Sequence, residues 1–258
     1  MTRLKIAAAA VALALTAGAA SAEKVRIGMA PEPYPPFASA DASGNWTGWE
    51  IDLMWALCAK AELECEIAPV AWDGLIPALN AGQIDAIMNS MSINAERQKV
   101  IDFSDKYYNT PTVIVAAKGA GITPDAAGLT GKVLGVQVST VHQTYAEKHF
   151  GAAASEIKVY QTQDEANQDL VAGRIDAIQA DSIALDAFLA SPEGSACCEL
   201  MGTVPEDLDV LGPGVGIGLR KGDEELKAKF NKAIADVRAD GSYDEITSKY
   251  FTSSIYGD

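Results

Sequence analysis

The chain of 258 residues holds 35 acidic against 20 basic side chains, a formal net charge of −15, with 48% hydrophobic residues and four cysteines. So acidic a composition excludes the basic face that a nucleic-acid partner demands. Asp and Glu are scattered rather than clustered, which reads as a solvated surface and not as an interaction tail. The opening residues carry Arg3 and Lys5, and Ile6 to Ala20 is an almost unbroken run of Ala, Val and Leu ending in Ala20-Ser21-Ala22. A basic start, an apolar run and small residues before a cut predict a secretory signal peptide, residues 1–22, removed before Glu23. The rival reading, a membrane anchor, needs roughly 20 apolar residues, more than this run supplies. No Cys stands at the cut, so a lipoprotein is not expected. Cleavage leaves 236 residues and shifts the charge from −15 to −17, because Arg3 and Lys5 go and no acid does. That length accommodates one large or two medium domains.

Val25 to Gly28 is a strand pattern, and the prolines of Met29-Ala-Pro-Glu-Pro-Tyr-Pro-Pro-Phe37 force a loop after it. Glu50 to Ala61 places apolar residues at 51, 54, 55 and 58, a helical face, and Glu66 to Val70 returns to extended chain. Strand alternating with helix predicts α/β units with a largely parallel sheet, whose ligands bind beyond the carboxyl ends of the strands. Cys58 and Cys65, seven apart, are expected to form a disulfide in an oxidising compartment, a short loop whose closure contributes roughly 2 to 3 kcal/mol. Adjacent Cys197 and Cys198 are open to two readings, bridged or free. Zinc is the alternative for these thiols, with only His142 and His149 as imidazoles and no paired Cys-x-x-Cys spacing in support, so no metal and no cofactor is expected.

A repeat organises the rest. Ala81-Gly-Gln-Ile-Asp-Ala-Ile-Met-Asn-Ser90 and Ala172-Gly-Arg-Ile-Asp-Ala-Ile-Gln-Ala-Asp181 share Ala-Gly-x-Ile-Asp-Ala-Ile at an offset of 91 residues. In each, a helix (Leu75 to Leu79, or Asp164 to Leu170) stops at Gly and a buried strand follows, ending in polar residues: Asn89 and Ser90 in the first, Asp181 in the second. Two such units suggest a cleft between two lobes, although Ala-Gly-x-Ile-Asp-Ala also occurs as a plain helix-to-strand turn. Lys132 to Gln137 is a further strand, and Val138-Ser-Thr-Val-His142 leads into a helix from Gln143, a helix start that favours an anion. Asp223 to Ala239 is amphipathic, with Leu226, Phe230, Ile234 and Val237 on one face and Gly241 at its end. No Pro/Ser-rich linker divides the chain, so short extended crossings should join the lobes.

Arg97, soon after the first polar strand end, has the fork geometry to grip a carboxylate, with Ser90 and Ser92 completing the shell. Read locally, it is a surface Arg paired with Glu96 or Asp102. Asp181 can hold an ammonium, or simply cap a helix from Ser182 onward. Tyr34, Trp49 and Trp72 fall in loops or at strand edges, placed either to sandwich a ligand or to fill core.

Together these residues resemble a family. Tyr34-Pro-Pro-Phe37, Gly48-Trp-Glu-Ile-Asp52, Trp72-Asp-Gly-Leu-Ile-Pro77, Ile84-Asp-Ala-Ile-Met88, Met91-Ser-Ile-Asn-Ala-Glu-Arg97, Phe103-Ser-Asp-Lys-Tyr-Tyr108, Gly173-Arg-Ile-Asp-Ala177 and Ala239-Asp-Gly-Ser-Tyr243 are similar, in this order, to the periplasmic amino-acid-binding proteins of ABC uptake transporters. The likeness is to the branch that takes lysine, arginine, ornithine, histidine or opines. It implies an α/β, two-lobed periplasmic binding-protein fold, each lobe a sheet flanked by helices and joined by short hinge strands. Residues 23–109 plus 215–258 would form lobe 1 and 110–214 lobe 2. The family pattern would set Arg97 on the α-carboxylate, Ser90 and Ser92 on the α-groups, Asp181 on the α-ammonium, and Tyr34 and Trp72 on the side chain. It also bridges the pair matching Cys58 and Cys65. The chain departs from that pattern at four places. Pro31 stands where an acid is usual, with Glu32 one residue nearer Tyr34. Thr140 is followed by Val141 rather than a second hydroxyl, which leaves Thr140 and backbone N–H groups to do that work. Asn89 and the bulky Trp72 replace smaller residues.

The resemblance implies a monomeric carrier in the periplasm, with a small-molecule amino-acid ligand and a membrane permease as partner. The rival of another class is a periplasmic cyclohexadienyl or arogenate dehydratase on the same fold, recruiting Glu32 as acid. Against an enzyme stand the absence of Gly-x-Ser-x-Gly, His-Glu-x-x-His and phosphate-loop motifs, and of any histidine near the repeat ends in sequence. A sensor domain would need a later spanning segment, and the sequence after residue 22 offers none.

Overall fold

The computed structural model describes residues 23–257, so the expected signal peptide lies outside the described residues. The first sheet has the order β4-β1-β5-β12-β6, built from β1 (Glu23–Met29), β4 (Leu63–Pro69), β5 (Ala86–Ile87), β6 (Asp102–Tyr108) and β12 (Val215–Leu219). A small hairpin, β2 (Ser39–Ala40) with β3 (Trp46–Thr47), sits beside it. The second sheet has the order β11-β7-β10-β8-β9, from β7 (Thr112–Ala117), β8 (Val133–Gln137), β9 (Glu156–Tyr160), β10 (Ala177–Asp181) and β11 (Cys198–Thr203). Helices flank both: α1 (Trp49–Lys60), α2 (Leu75–Asn80), α3 (Ala95–Gln98), α9 (Glu224–Ala239) and α10 (Ser242–Ser248) in the first lobe. In the second are α4 (Val141–Phe150), α5 (Gln163–Val171), α6 (Ser182–Ala190) and α7 (Pro192–Cys197), with α8 (Leu208–Leu211) on the returning chain. Among the described residues no helix is long and apolar enough to cross a membrane.

The sheets are mixed, not largely parallel as the alternation of elements predicts. β1 is parallel to β4 and β5, but β12 is antiparallel to β5 and β6. In the second sheet β8 is parallel to β9 and β10, while β7 is antiparallel to β10 and β11. Connectivity is the reason. The chain leaves the first lobe along β6, crosses at 109–111, and enters the second on β7 running away from the cleft. It returns through 204–214 into β12, which runs opposite to its neighbours.

The repeat has a structural meaning beyond its helix stop. Asp85 N–H donates to the Arg26 carbonyl and its carboxylate accepts from Arg26 N–H, 2.8 and 3.0 Å. Asp176 does the same with Val133, 3.0 and 2.8 Å. Each Asp thereby pins the start of a parallel strand pair, and bidentate Arg26 holds the Asp85 carboxyl below its usual pKa.

Burial on α1 follows Ile51, Met54 and Cys58 as expected, with Leu53 and Leu57, whereas Trp55 is 46% exposed. The α9 face of Leu226, Phe230, Ile234 and Val237 is buried against α1 and β6 as its spacing predicts. Trp49 is core, its Nε1 donating to Thr247. The returning chain is pressed onto the loop before α3. Ile93 N–H donates to Gly214 O at 2.8 Å, Asn94 Nδ2 to Val210 O at 3.2 Å, and a Cβ on Gly212 (φ 78°) would collide with the Ile93 carbonyl.

Cys58 and Cys65 are bridged, tying α1 to the edge strand β4 with their Cα atoms 6.1 Å apart. The sulfurs of Cys197 and Cys198 are paired with each other as well. Replacing Cys58 and Cys65 by Ser should cost about 2–3 kcal/mol, read as a drop of about 4–12 °C in the calorimetric melting temperature; an unchanged midpoint would show that the staple adds nothing.

Candidate functional site

Between the two sheets lies a cleft of about 580 Å³, part of it open to solvent. Glu32 and Tyr34 reach it from the loop after β1, Trp72 from the turn after β4, Asn89, Ser90 and Ser92 from the end of β5, and Arg97 from α3. Thr140, ahead of α4, and Asp181, ending β10, face them from the other lobe. Nine of the ten residues singled out in the sequence therefore line one cavity, and the tenth, Trp49, fills core instead. The strand ends of the two repeats meet there, as expected for ligands that sit beyond carboxyl ends.

Arg97 is 9% exposed, far from the surface residue that its neighbours Glu96 and Asp102 would make of it. Asn94 caps α3 by accepting Arg97 N–H at 2.9 Å, which fixes where the side chain departs. The guanidinium donates to Ser92 O at 2.8 Å and across the cleft to Ser139 O at 3.1 Å, and it lies 5.5 Å from the centre of the Trp72 ring. No carboxylate among the described residues pairs with it. Burial alone holds its pKa below the usual value, at about 10.

Asp181 begins α6 without capping it through its side chain. Its carboxylate turns into the cleft instead, accepting from the Thr110 hydroxyl and, at 3.2 Å, from Tyr34 OH of the opposite lobe. Burial first, then Asp181, drives the Tyr34 phenol well above its usual pKa, so it stays a donor. His142 Nε2 stands 3.6 Å from Asp181 Oδ2. The expectation that no histidine lies near the repeat ends thus holds along the chain but fails in space, because the first turn of α4 packs beside the end of β10. Glu32 has one carboxylate oxygen buried without a hydrogen-bond partner.

The remaining donors are sorted by local bonds. Asn89 Oδ1 accepts Ala30 N–H at 2.8 Å, which turns its amide NH2 toward the cavity. The Thr140 hydroxyl donates to Gln137 O at 2.7 Å and caps α4 by accepting Gln143 N–H, so its hydrogen is committed. What this turn offers a ligand is the free N–H groups at the start of α4. Ser90 (φ 53°) and Ser139 (φ 58°) both adopt left-handed backbone at the cleft, a conformation that costs energy and gathers at functional sites. Trp72 donates to Val138 O at 2.9 Å and so bridges the lobes. Gln137, His142 and Gln163 also line the cavity. Gln163 is presented by the first turn of α5, held by a Thr162–Glu165 capping box, and nothing in the local sequence distinguishes it from an ordinary helix-start polar residue. Among the described residues no cluster of His, Cys, Asp or Glu is arranged to hold a metal.

Two sheet-and-helix lobes that meet over a cavity lined by opposed charges define a binding protein that closes on a small solute. The chain belongs to the bacterial extracellular solute-binding proteins, family 3, which residues 25–253 match. Over 225 residues it is 43% identical to an L-arginine-binding protein of Pseudomonas aeruginosa, covering 87% of this chain and 86% of that one. Over 226 residues it is 40% identical to the lysine/arginine/ornithine-binding periplasmic protein of Escherichia coli K12, with the same coverage, 87% and 86%. A solved ancestral arginine-binding protein bound to arginine superposes with a TM-score of 0.80 at 34% identity, covering 88% of this chain and 98% of that one.

A guanidinium buried without a counter-charge is costly to the ligand-free protein. Arg97→Met should therefore leave the melting temperature of the ligand-free protein unchanged or higher. A fall of several degrees would mean that the bonds to Ser92 and Ser139 outweigh that cost.

Proposed function

We propose that this chain is the periplasmic solute-binding component of an amino-acid ABC uptake transporter, handing a cationic amino acid, or an opine built on one, to a membrane permease. Export would follow from removal of residues 1–22. The observation that carries the reading is the opposition of Arg97, buried without a carboxylate, and Asp181 on the facing lobe. A zwitterion fits between them, its carboxylate on Arg97 and the N–H groups of α4, its ammonium on Asp181. The buried oxygen of Glu32 that lacks a partner supports a cationic side chain, with Tyr34 and Trp72 beside it. Among the relatives that match, some are named for arginine or for lysine, arginine and ornithine, which agrees with that chemistry, and others for histidine.

The lobes, 23–109 with 215–258 and 110–214, would swing about the crossings at 109–111 and 212–214. Ligand stabilises the closed form because only there do Arg97 and Asp181 both reach it. The relatives are binding proteins, and the chain is read as one rather than as a dehydratase.

Calorimetry with arginine, lysine, ornithine, histidine and opines tests the ligand class. Binding only of acidic or aliphatic compounds, or formation of aromatic product from prephenate or arogenate, would overturn it. Arg97→Ala should weaken the best ligand by about 3–5 kcal/mol, hundreds-fold or more in Kd. Glu32→Gln should weaken cationic ligands by about tenfold while leaving glutamine, if bound, unaffected.

A further inference from the structure

Beneath the cleft floor, Glu50 is 1% exposed at the second position of α1, and both of its carboxylate oxygens are engaged by the cavity wall. Oε1 accepts Ser90 N–H at 2.7 Å together with the Tyr107 hydroxyl, and Oε2 accepts the Ser90 hydroxyl at 3.0 Å. No cation among the described residues pairs with it. Burial pushes its pKa up, while the hydrogen bonds from Tyr107 and Ser90 and the start of a 12-residue helix act against that rise. Both carboxylate oxygens act as acceptors in this arrangement, and a serine hydroxyl owns a single hydrogen. Ser90 has therefore spent both its N–H and its O–H on Glu50, and the face of Oγ that lines the cleft carries lone pairs alone.

We infer that Glu50 is a positioning residue that fixes the polarity of Ser90, making Ser90 Oγ an obligate acceptor for the α-ammonium of the ligand and barring the α-carboxylate from that end of the cleft. The same two bonds hold Ser90 in its left-handed conformation. Asp181 attracts a positive charge from the far lobe, yet its own oxygens already accept from Thr110 and Tyr34. Ser90 adds an acceptor from the near lobe, so an ammonium with three hydrogens is held from both sides and the zwitterion has one orientation. This inference rests on the amino-acid reading of the cleft.

Glu50→Gln tests it with almost no change of shape. The amide oxygen can keep the Ser90 N–H and Tyr107 bonds, but the NH2 now donates to Ser90 Oγ and turns the hydroxyl hydrogen toward the cleft. Binding of L-arginine and L-lysine is compared by calorimetry with binding of 5-guanidinopentanoate and 6-aminohexanoate, which lack only the α-amine. Glu50→Gln should weaken the amino acids by at least about tenfold, as expected for a bond to a charged group, and leave the deamino compounds unchanged or tighter. Ser90→Ala should narrow the preference for the amine in the same way, and Glu50→Gln added to it should narrow it no further. Equal weakening of both ligand classes would reduce Glu50 to a structural part and overturn the inference. If Glu50→Gln fails to fold, Ser90→Ala decides alone, and retention of the full preference for the amine overturns it. A wild-type protein that binds no L-α-amino acid would instead remove the functional reading on which the inference stands.

Discussion

A guanidinium taken out of water with only carbonyl oxygens and one indole face for company sets the terms for the whole molecule. Arg97 is held by Ser92 O from its own lobe and Ser139 O from the other, with Trp72 against it. Neutral partners soften the desolvation cost of the charge without cancelling it. Holding such a group requires rigid surroundings, and these are visible one shell outward. Asn94 caps α3 through Oδ1 and through Nδ2 grips the carbonyl of Val210, a residue of the second lobe's core, so the segment that aims Arg97 is tied across to that lobe.

The two repeats explain why opposed groups can be aimed so closely. In each lobe an Asp of the repeat exchanges two main-chain-directed bonds with a neighbouring parallel strand where their pairing begins, Asp85 with Arg26 and Asp176 with Val133. A strand pair locked at its start delivers its far end at a defined height. Asn89 and Ser90 on one side and Asp181 on the other are those far ends. The antiparallel strands β7 and β12 are a consequence of crossing between lobes twice, not a second design.

Much of this was legible in the residues, and the exceptions have identifiable causes. The nine residues that share the cleft lie at strand ends or loop positions marked by prolines, by the repeat or by a helix start, and such marks survive folding because they are local. Strand direction is not legible, because alternating elements carry no record of which strand re-enters from the other lobe. Trp55 has a spacing that suits the face of Ile51 and Cys58, but the buried face is centred on Leu53, Met54 and Leu57 and leaves Trp55 at its edge, in solvent. Gln163 and the pairing of His142 with Asp181 depend on how α4 and α5 dock beside β10, which no stretch of sequence encodes by itself. Thr140 shows a subtler gap: its position was legible, but not that its hydrogen is already given to Gln137.

Trp72 has an optical consequence. Its indole donates to Val138 across the cleft and stacks near a cation, while Trp46, Trp49 and Trp55 all belong to the first lobe, on β3 and α1. Separation of the lobes would strip one indole of both its carbonyl and its shelter and leave the other three as they are. The protein thus contains its own gauge of closure: the emission of a single tryptophan, read against a constant background, follows the angle between its halves without any added label.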